Sequence, residues 1–230
     1  MRKALVITVD GPAGSGKSTV SRMLARRISY MYLDTGLLYR AVAWQTVQVG
    51  ISLEGNEALA ELCGSIKISR DTDGAMSVLI KGEDISGDLR TEEISMLASS
   101  VSAKPVVREA LLPLQRQAGR QGGIVAEGRD MGTVVFPDAD VKFYLNADVD
   151  ARARRRYLQL VENGQTADLG DIKRGIGARD SQDSTREISP LKPADNSVVI
   201  DTTALSIDAV VEKMTMIVKK HTREAQRRIL

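Results

Sequence analysis

VITVDGPAGSGKST, residues 6–19, passes from an apolar, β-branched run through a glycine-rich turn into Lys17, Ser18 and Thr19. The run reads as a buried strand, the turn as a place where the backbone must curl, and residues 17–28 as a helix. Gly11, Gly16, Lys17 and Ser18 satisfy G-x-x-x-x-G-K-[ST] between a strand and a helix, the context that gives this spacing its meaning. Glycines let consecutive N–H groups point inward at phosphate oxygens, and the helix N-terminus adds a favourable dipole. Lys17 is suited to bridging terminal phosphates and Ser18 to ligating Mg2+. Gly11, Pro12, Ala13, Gly14, Ser15, Gly16, Lys17, Ser18 and Thr19 are therefore the candidate ATP-binding residues.

Four further apolar runs recur downstream, at YMYLD (30–34), GIVAE (123–127), VKFYLNA (141–147) and SVVID (197–201), with ALVITVD (4–10) as the first of the five. They are near-continuous rather than alternating, as strands covered on both faces are. Helical signals fill the intervals at 17–28, 36–49, 91–103, 106–118, 148–163, 168–182 and 206–227, the last opened by Ser206 as N-cap. The expected fold is α/β, a P-loop NTPase fold with a five-stranded parallel sheet flanked by helices. Residues 66–90 break the alternation with two or three short strands around DTDG (71–74) and KGED (81–84), which predicts a small antiparallel insert.

Composition narrows the classes. The chain has 230 residues, 43% hydrophobic and 27% charged, enough for one α/β domain with a core. The start, MRKALVITVDG, is interrupted by Thr8 and Asp10 before it could form a signal core, so a cytoplasmic protein without a membrane span is expected. Cys63, the single cysteine, excludes an internal disulfide. A net charge of +2 argues against a nucleic-acid partner. The guanine signature N-K-x-D is absent, and D-x-x-G occurs only in the turn-rich insert, at 71–74 and 84–87, which disfavours a GTP switch.

A kinase needs a second pocket for an anionic acceptor, and arginine binds phosphate through a planar fork. Arg40 and Arg129 follow the second and third predicted core strands, at the carboxyl edge where ligands of open α/β sheets bind. Arg179 and Arg186 flank Asp183. In ARARRR (151–156), Arg152, Arg155 and Arg156 share one helix face while Arg154 points elsewhere. The three are candidate catalytic residues, alongside Lys17, on a helical lid that closes over the transferring phosphate.

LDTGLLYRAVA (33–43), ASSVSAKPVVREALL (98–112), AEGRDMGTVVFPDADVKFYLNA (126–147) and RDSQDSTREISPLKPA (179–194), together with the phosphate loop, resemble bacterial cytidylate kinases almost end to end. The resemblance implies transfer of the γ-phosphate of ATP to CMP or dCMP with Mg2+, by a monomer. It implies a single kinase domain with a core at 1–40, 105–150 and 184–230, a monophosphate-binding insert at about 41–104 and a lid at about 151–183. By the same resemblance Arg40, Arg129 and Arg186 meet the acceptor phosphate, Ser99, Arg108 and Asp130 the cytosine, and Arg179 with Asp183 the sugar. Thr35 stands where many relatives have serine, keeping the hydroxyl. Asp34 either assists Mg2+ through water or caps the following helix. A kinase for UMP or shikimate is the nearest alternative, and the trio Ser99, Arg108 and Asp130 argues against it: a carboxylate accepts from the cytosine amino group and repels the uracil oxygen.

Overall fold

Side chains along the core strands alternate between two apolar layers, and that alternation builds the molecule. The structure, a computed structural model, describes residues 4–227. In chain order the first half runs β1 (Val6–Asp10), α1 (Lys17–Ile28), β2 (Met31–Asp34), α2 (Gly36–Val49), α3 (Asn56–Gly64), β3 (Ile66–Arg70), β4 (Met76–Ile80), β5 (Glu83–Asp84), a 3-10 turn at Asp88–Arg90, α4 (Glu92–Ser102) and α5 (Pro105–Ala118). The second half adds β6 (Ile124–Gly128), a π-turn at Met131–Val135, β7 (Val141–Asn146), α6 (Val149–Glu162), α7 (Leu169–Thr185), β8 (Val198–Asp201) and α8 (Ile207–Arg227).

Five strands form one parallel sheet in the order β2-β6-β1-β7-β8. Ile124 and Ala126 of β6 enter one layer with α2, α4, α5 and the insert, while Val125 enters the other with α1 and α8. Tyr32 and Leu33 of β2 divide in the same way, as a period of two demands. Because β1 and β6 are neighbours, with Asp10 paired to Gly128, the loop after β1 and the turn after β6 stand side by side at the carboxyl edge.

The predicted insert is a three-stranded antiparallel sheet, β3-β4-β5. Lys81 and Gly82, both at positive φ, make the two-residue connection between β4 and β5. Asp71 closes the other turn by accepting from the Ala75 amide at 2.7 Å. The Gly74 carbonyl accepts from the Tyr32 amide at 3.1 Å, covering the free edge of β2. Observed elements match their predicted positions to within a few residues, and Ser206 caps α8 by accepting from Ala209 N at 3.2 Å. The sequence reading missed α3: a short segment between Gly55 and Gly64, whose Leu59 and Cys63 are its buried anchors. Among the described residues no helix is long and apolar enough to cross a membrane.

Candidate active site

Gly11 leaves β1 with φ +148, and a Cβ there would stand 2.0 Å from the Leu145 carbonyl oxygen, so only glycine lets the loop hug the end of β7. Gly16, at φ +91, turns the chain into α1. Lys17 is buried, its Nζ donating to the Pro12 carbonyl at 2.7 Å. Burial first, then the Arg129 guanidinium, holds its ammonium pKa below the usual lysine range. The Ser18 hydroxyl donates to Glu127 Oε1 at 2.7 Å. Glu127, also buried, has its carboxyl pushed upward by burial and then by Asp34. Its other oxygen, Oε2, finds no hydrogen-bond partner among the described residues.

Ser18, Asp34 and Glu127 thus bring a hydroxyl and two buried carboxylates to one place beside the loop. Asp34 lies 3.8 Å from Arg90, and α2 starts at Thr35 without a side-chain cap. Hard oxygen donors including one orphaned oxygen suit Mg2+, which binds through one or two carboxylates plus substrate phosphates. Among the described residues no group of three or more histidine, cysteine or acidic side chains forms a cage that could hold a metal by itself.

The arginines of α6 are placed by Asp148, which caps the helix by accepting from Asp150 N at 2.7 Å. Arg152 is buried against the phosphate loop. Its Nε donates to the Ala147 carbonyl at 2.9 Å and its Nη1 to the Ala13 carbonyl at 3.1 Å, and it pairs with Asp180 of α7 at 2.6 Å. Arg155 donates to the hydroxyl of Thr202 at 3.1 Å and to its carbonyl, and Thr202 in turn donates to the Ser15 carbonyl at 3.0 Å. Arg156 donates to Gln159 at 3.0 Å, and Arg154 is exposed. Two of the three candidate arginines therefore already touch the donor loop or its support through backbone carbonyls.

On the opposite wall, Arg108 of α5 and Asp130 form a buried ion pair. Arg108 also donates to the Ser102 carbonyl at 3.0 Å and lies over the Tyr39 ring. Arg129 donates to Asp183 of α7 at 2.8 Å, and Arg186 approaches the other Asp183 oxygen at 3.6 Å. Burial works to raise the Asp183 pKa, but the neighbouring arginines outweigh it and hold the carboxyl below its usual value. Ser99 of α4 donates to Gln182 at 2.9 Å, and the Thr35 hydroxyl donates to the Glu127 carbonyl at 2.7 Å. Arg179 is close enough to Lys17 and Asp183 to shift both electrostatically. Arg40 sits half-buried on α2.

Four residues that the sequence reading did not single out belong to this cleft: Asp10, Glu127, Gln182 and Thr202. The two acids carried a legible signal, since each is a charged side chain ending an otherwise apolar strand, at the edge where ligands bind.

Residues 7–220 match the family model for cytidylate kinase. The chain is 46% identical over 224 residues to a cytidylate kinase of Geobacter sp. strain M21, covering 97% of this chain and 96% of that protein. It is 48% identical over 219 residues to one of Syntrophotalea carbinolica, covering 95% and 93%. A solved structure of an uncharacterized protein from Eubacterium ventriosum shares the fold at 11% identity, with a TM-score of 0.50 over 95% of this chain and 98% of the other.

Proposed function

We propose that this chain, which belongs to the cytidylate kinase family, transfers the γ-phosphate of ATP to CMP or dCMP, giving ADP and CDP or dCDP. The observation that carries the base assignment is the buried Arg108–Asp130 pair at the carboxyl edge, a few residues from the phosphate loop across the β1–β6 pairing.

In this reading Gly11–Thr19 cradle the triphosphate and Lys17 leaves the Pro12 carbonyl to bridge its terminal oxygens. Its lowered pKa favours that exchange, because a polyphosphate restores the charge that burial penalises. Ser18, Asp34 and Glu127 would hold Mg2+, which when bound neutralises charge on the phosphate oxygens. Arg40, Arg129 and Arg186, with the Thr35 hydroxyl, grip the acceptor phosphate, and Arg179 with Asp183 the sugar. Asp130 accepts from the cytosine amino group, while Arg108 and Ser99 donate to the ring acceptors. Arg152, Arg155 and Arg156 supply positive charge as α6 and α7 fold over the cleft. Transfer is direct and in line; the acceptor phosphate oxygen is already a nucleophile, so no side chain acts as a strong base. His221 lies on the distal helix α8 and takes no part.

The same reading makes the protein a cytoplasmic monomer with no nucleic-acid partner. On the last point, the support is that Arg152 and Arg155 of the arginine-rich helix are turned to internal carbonyls. ADP production from Mg·ATP, measured in parallel with CMP, dCMP, UMP, AMP, GMP and shikimate, tests the assignment. Turnover confined to CMP and dCMP supports it, and turnover on another acceptor replaces the base assignment.

A further inference from the structure

Asp10 is 2% exposed, and both its oxygens are engaged by one short piece of backbone. Oδ1 accepts from the Met131 amide at 2.8 Å and Oδ2 from the Gly132 amide at 2.8 Å. These are the first two N–H groups of the π-turn, donors that an ordinary helix start would offer to a local cap. Here the cap comes from a strand more than a hundred residues away in sequence.

Asp10 ends β1, the middle strand of the five-stranded sheet. Its strand is flanked on both sides, with Asp10 paired to Gly128 of β6 and to Tyr144 of β7. The next residue, Gly11, is wedged against the Leu145 carbonyl. A carboxylate buried this deeply is costly, and burial raises its pKa to about 6 against the pull of the two amides. The groups that face it are Asp130, Lys17 and Tyr144.

The chain leaving β6 delivers Arg129 to Asp183 and Asp130 to Arg108, and is pinned to Asp10 immediately afterwards. The Asp130 carbonyl accepts from Val134 N at 2.9 Å and Val135 N at 3.2 Å, so Asp130 hangs between the end of β6 and a turn anchored by Asp10. We infer that Asp10 is a positioning residue for base recognition. It fixes the π-turn that presents Asp130, and it ties the acceptor-reading turn to the strand that carries the phosphate loop. The inference rests on the cytosine reading given above.

Asp10→Asn keeps the shape, retains one acceptor and turns an NH2 group toward the other amide. Losing one charged hydrogen bond predicts a rise of about tenfold in the KM for CMP and a fall of about tenfold in the CMP-to-UMP ratio of kcat/KM, with the KM for ATP within about threefold. A merely structural role would lower the amount of active enzyme and leave that ratio unchanged. If Asp10 acts through Asp130, the substitution adds nothing further to the ratio in an Asp130→Asn background. Gly132→Ala supplies a second lever should Asp10→Asn not fold. Its methyl would meet Thr8 Oγ1 at 3.0 Å and Ala194 Cβ at 3.2 Å, displacing the same turn from the other side. A ratio unmoved in every variant that folds overturns the role of Asp10. A wild-type protein that does not distinguish CMP from UMP overturns the cytosine reading instead, so the two failures are separable.

Discussion

The proposed donor loop and acceptor cleft lie side by side at one sheet edge, yet they are built by opposite means. Gly11–Thr19 is a single contiguous stretch whose shape is dictated by backbone: glycines at positive φ, amides at a helix start, and carbonyls gripped from behind by Arg152 and Thr202. The acceptor cleft is assembled from side chains on α2, α4, α5, the turn after β6, and α7, spread over residues 35–186 and held by the ion pairs Arg108–Asp130 and Arg129–Asp183. A site made of backbone tolerates side-chain loss without unfolding and loses rate; a site made of buried ion pairs loses stability and selectivity together.

Lys17→Met should show the largest effect. On the proposed role of Lys17, removing its charge predicts a fall in kcat of about 1000-fold or more, measured by steady-state turnover. Stability to urea should hold or rise, since a buried ammonium with no carboxylate partner at hydrogen-bond distance is replaced by an apolar chain.

Arg108→Met should invert that pattern. It strands Asp130 in the interior, and breaking one side of a buried pair costs about 3–5 kcal/mol of unfolding free energy. Urea denaturation measures it, and a rise in the KM for CMP should accompany it. If Lys17→Met proved the more destabilising of the two, the contrast between the halves would be wrong.

Asp10 joins the halves and should report through pH. Its carboxyl titrates near 6 in the folded chain against an ordinary 3.8, so the fold favours the protonated form. That contribution is fully present below about 3.8 and is lost as pH rises through about 6, a change of about 3 kcal/mol at most. Glu127, raised to about 7, loses stability over the same range, so urea unfolding from pH 4 to pH 7 should show the Asp10 contribution as the difference between the wild-type protein and Asp10→Asn. The smallest effect belongs to Arg154→Ala on the exposed side of α6: kcat/KM within about twofold and stability within about 0.5 kcal/mol, where Arg152→Ala impairs the donor loop.

Legibility in the sequence follows the same division. The sheet, the phosphate loop and the insert were readable because each rests on local rules: apolar runs, glycine spacing, and turn residues such as Asp71 and Gly82. Helix α3 was not, since its nine residues, Asn56–Gly64, show too little periodicity. Nor was the π-turn, whose first two amides are held by the remote carboxylate of Asp10. The arginine spacing in α6 correctly separated Arg154 from Arg152, but spacing could not reveal that Arg152 binds the Ala13 carbonyl. Partners distant in sequence, such as Arg129 with Asp183 or Ser18 with Glu127, follow from topology, and only the likeness to a known family brought most of the acceptor side chains together beforehand.

The central claim is that the buried pair in the acceptor cleft reads cytosine, and kcat/KM for CMP and UMP in the wild-type protein and in Asp130→Asn tests it most directly. The expected result is a strong preference for CMP that the substitution erodes by about tenfold or more, because an amide no longer repels the uracil oxygen. Equal use of UMP by the wild-type protein, or a preference for CMP that Asp130→Asn leaves intact, would contradict it.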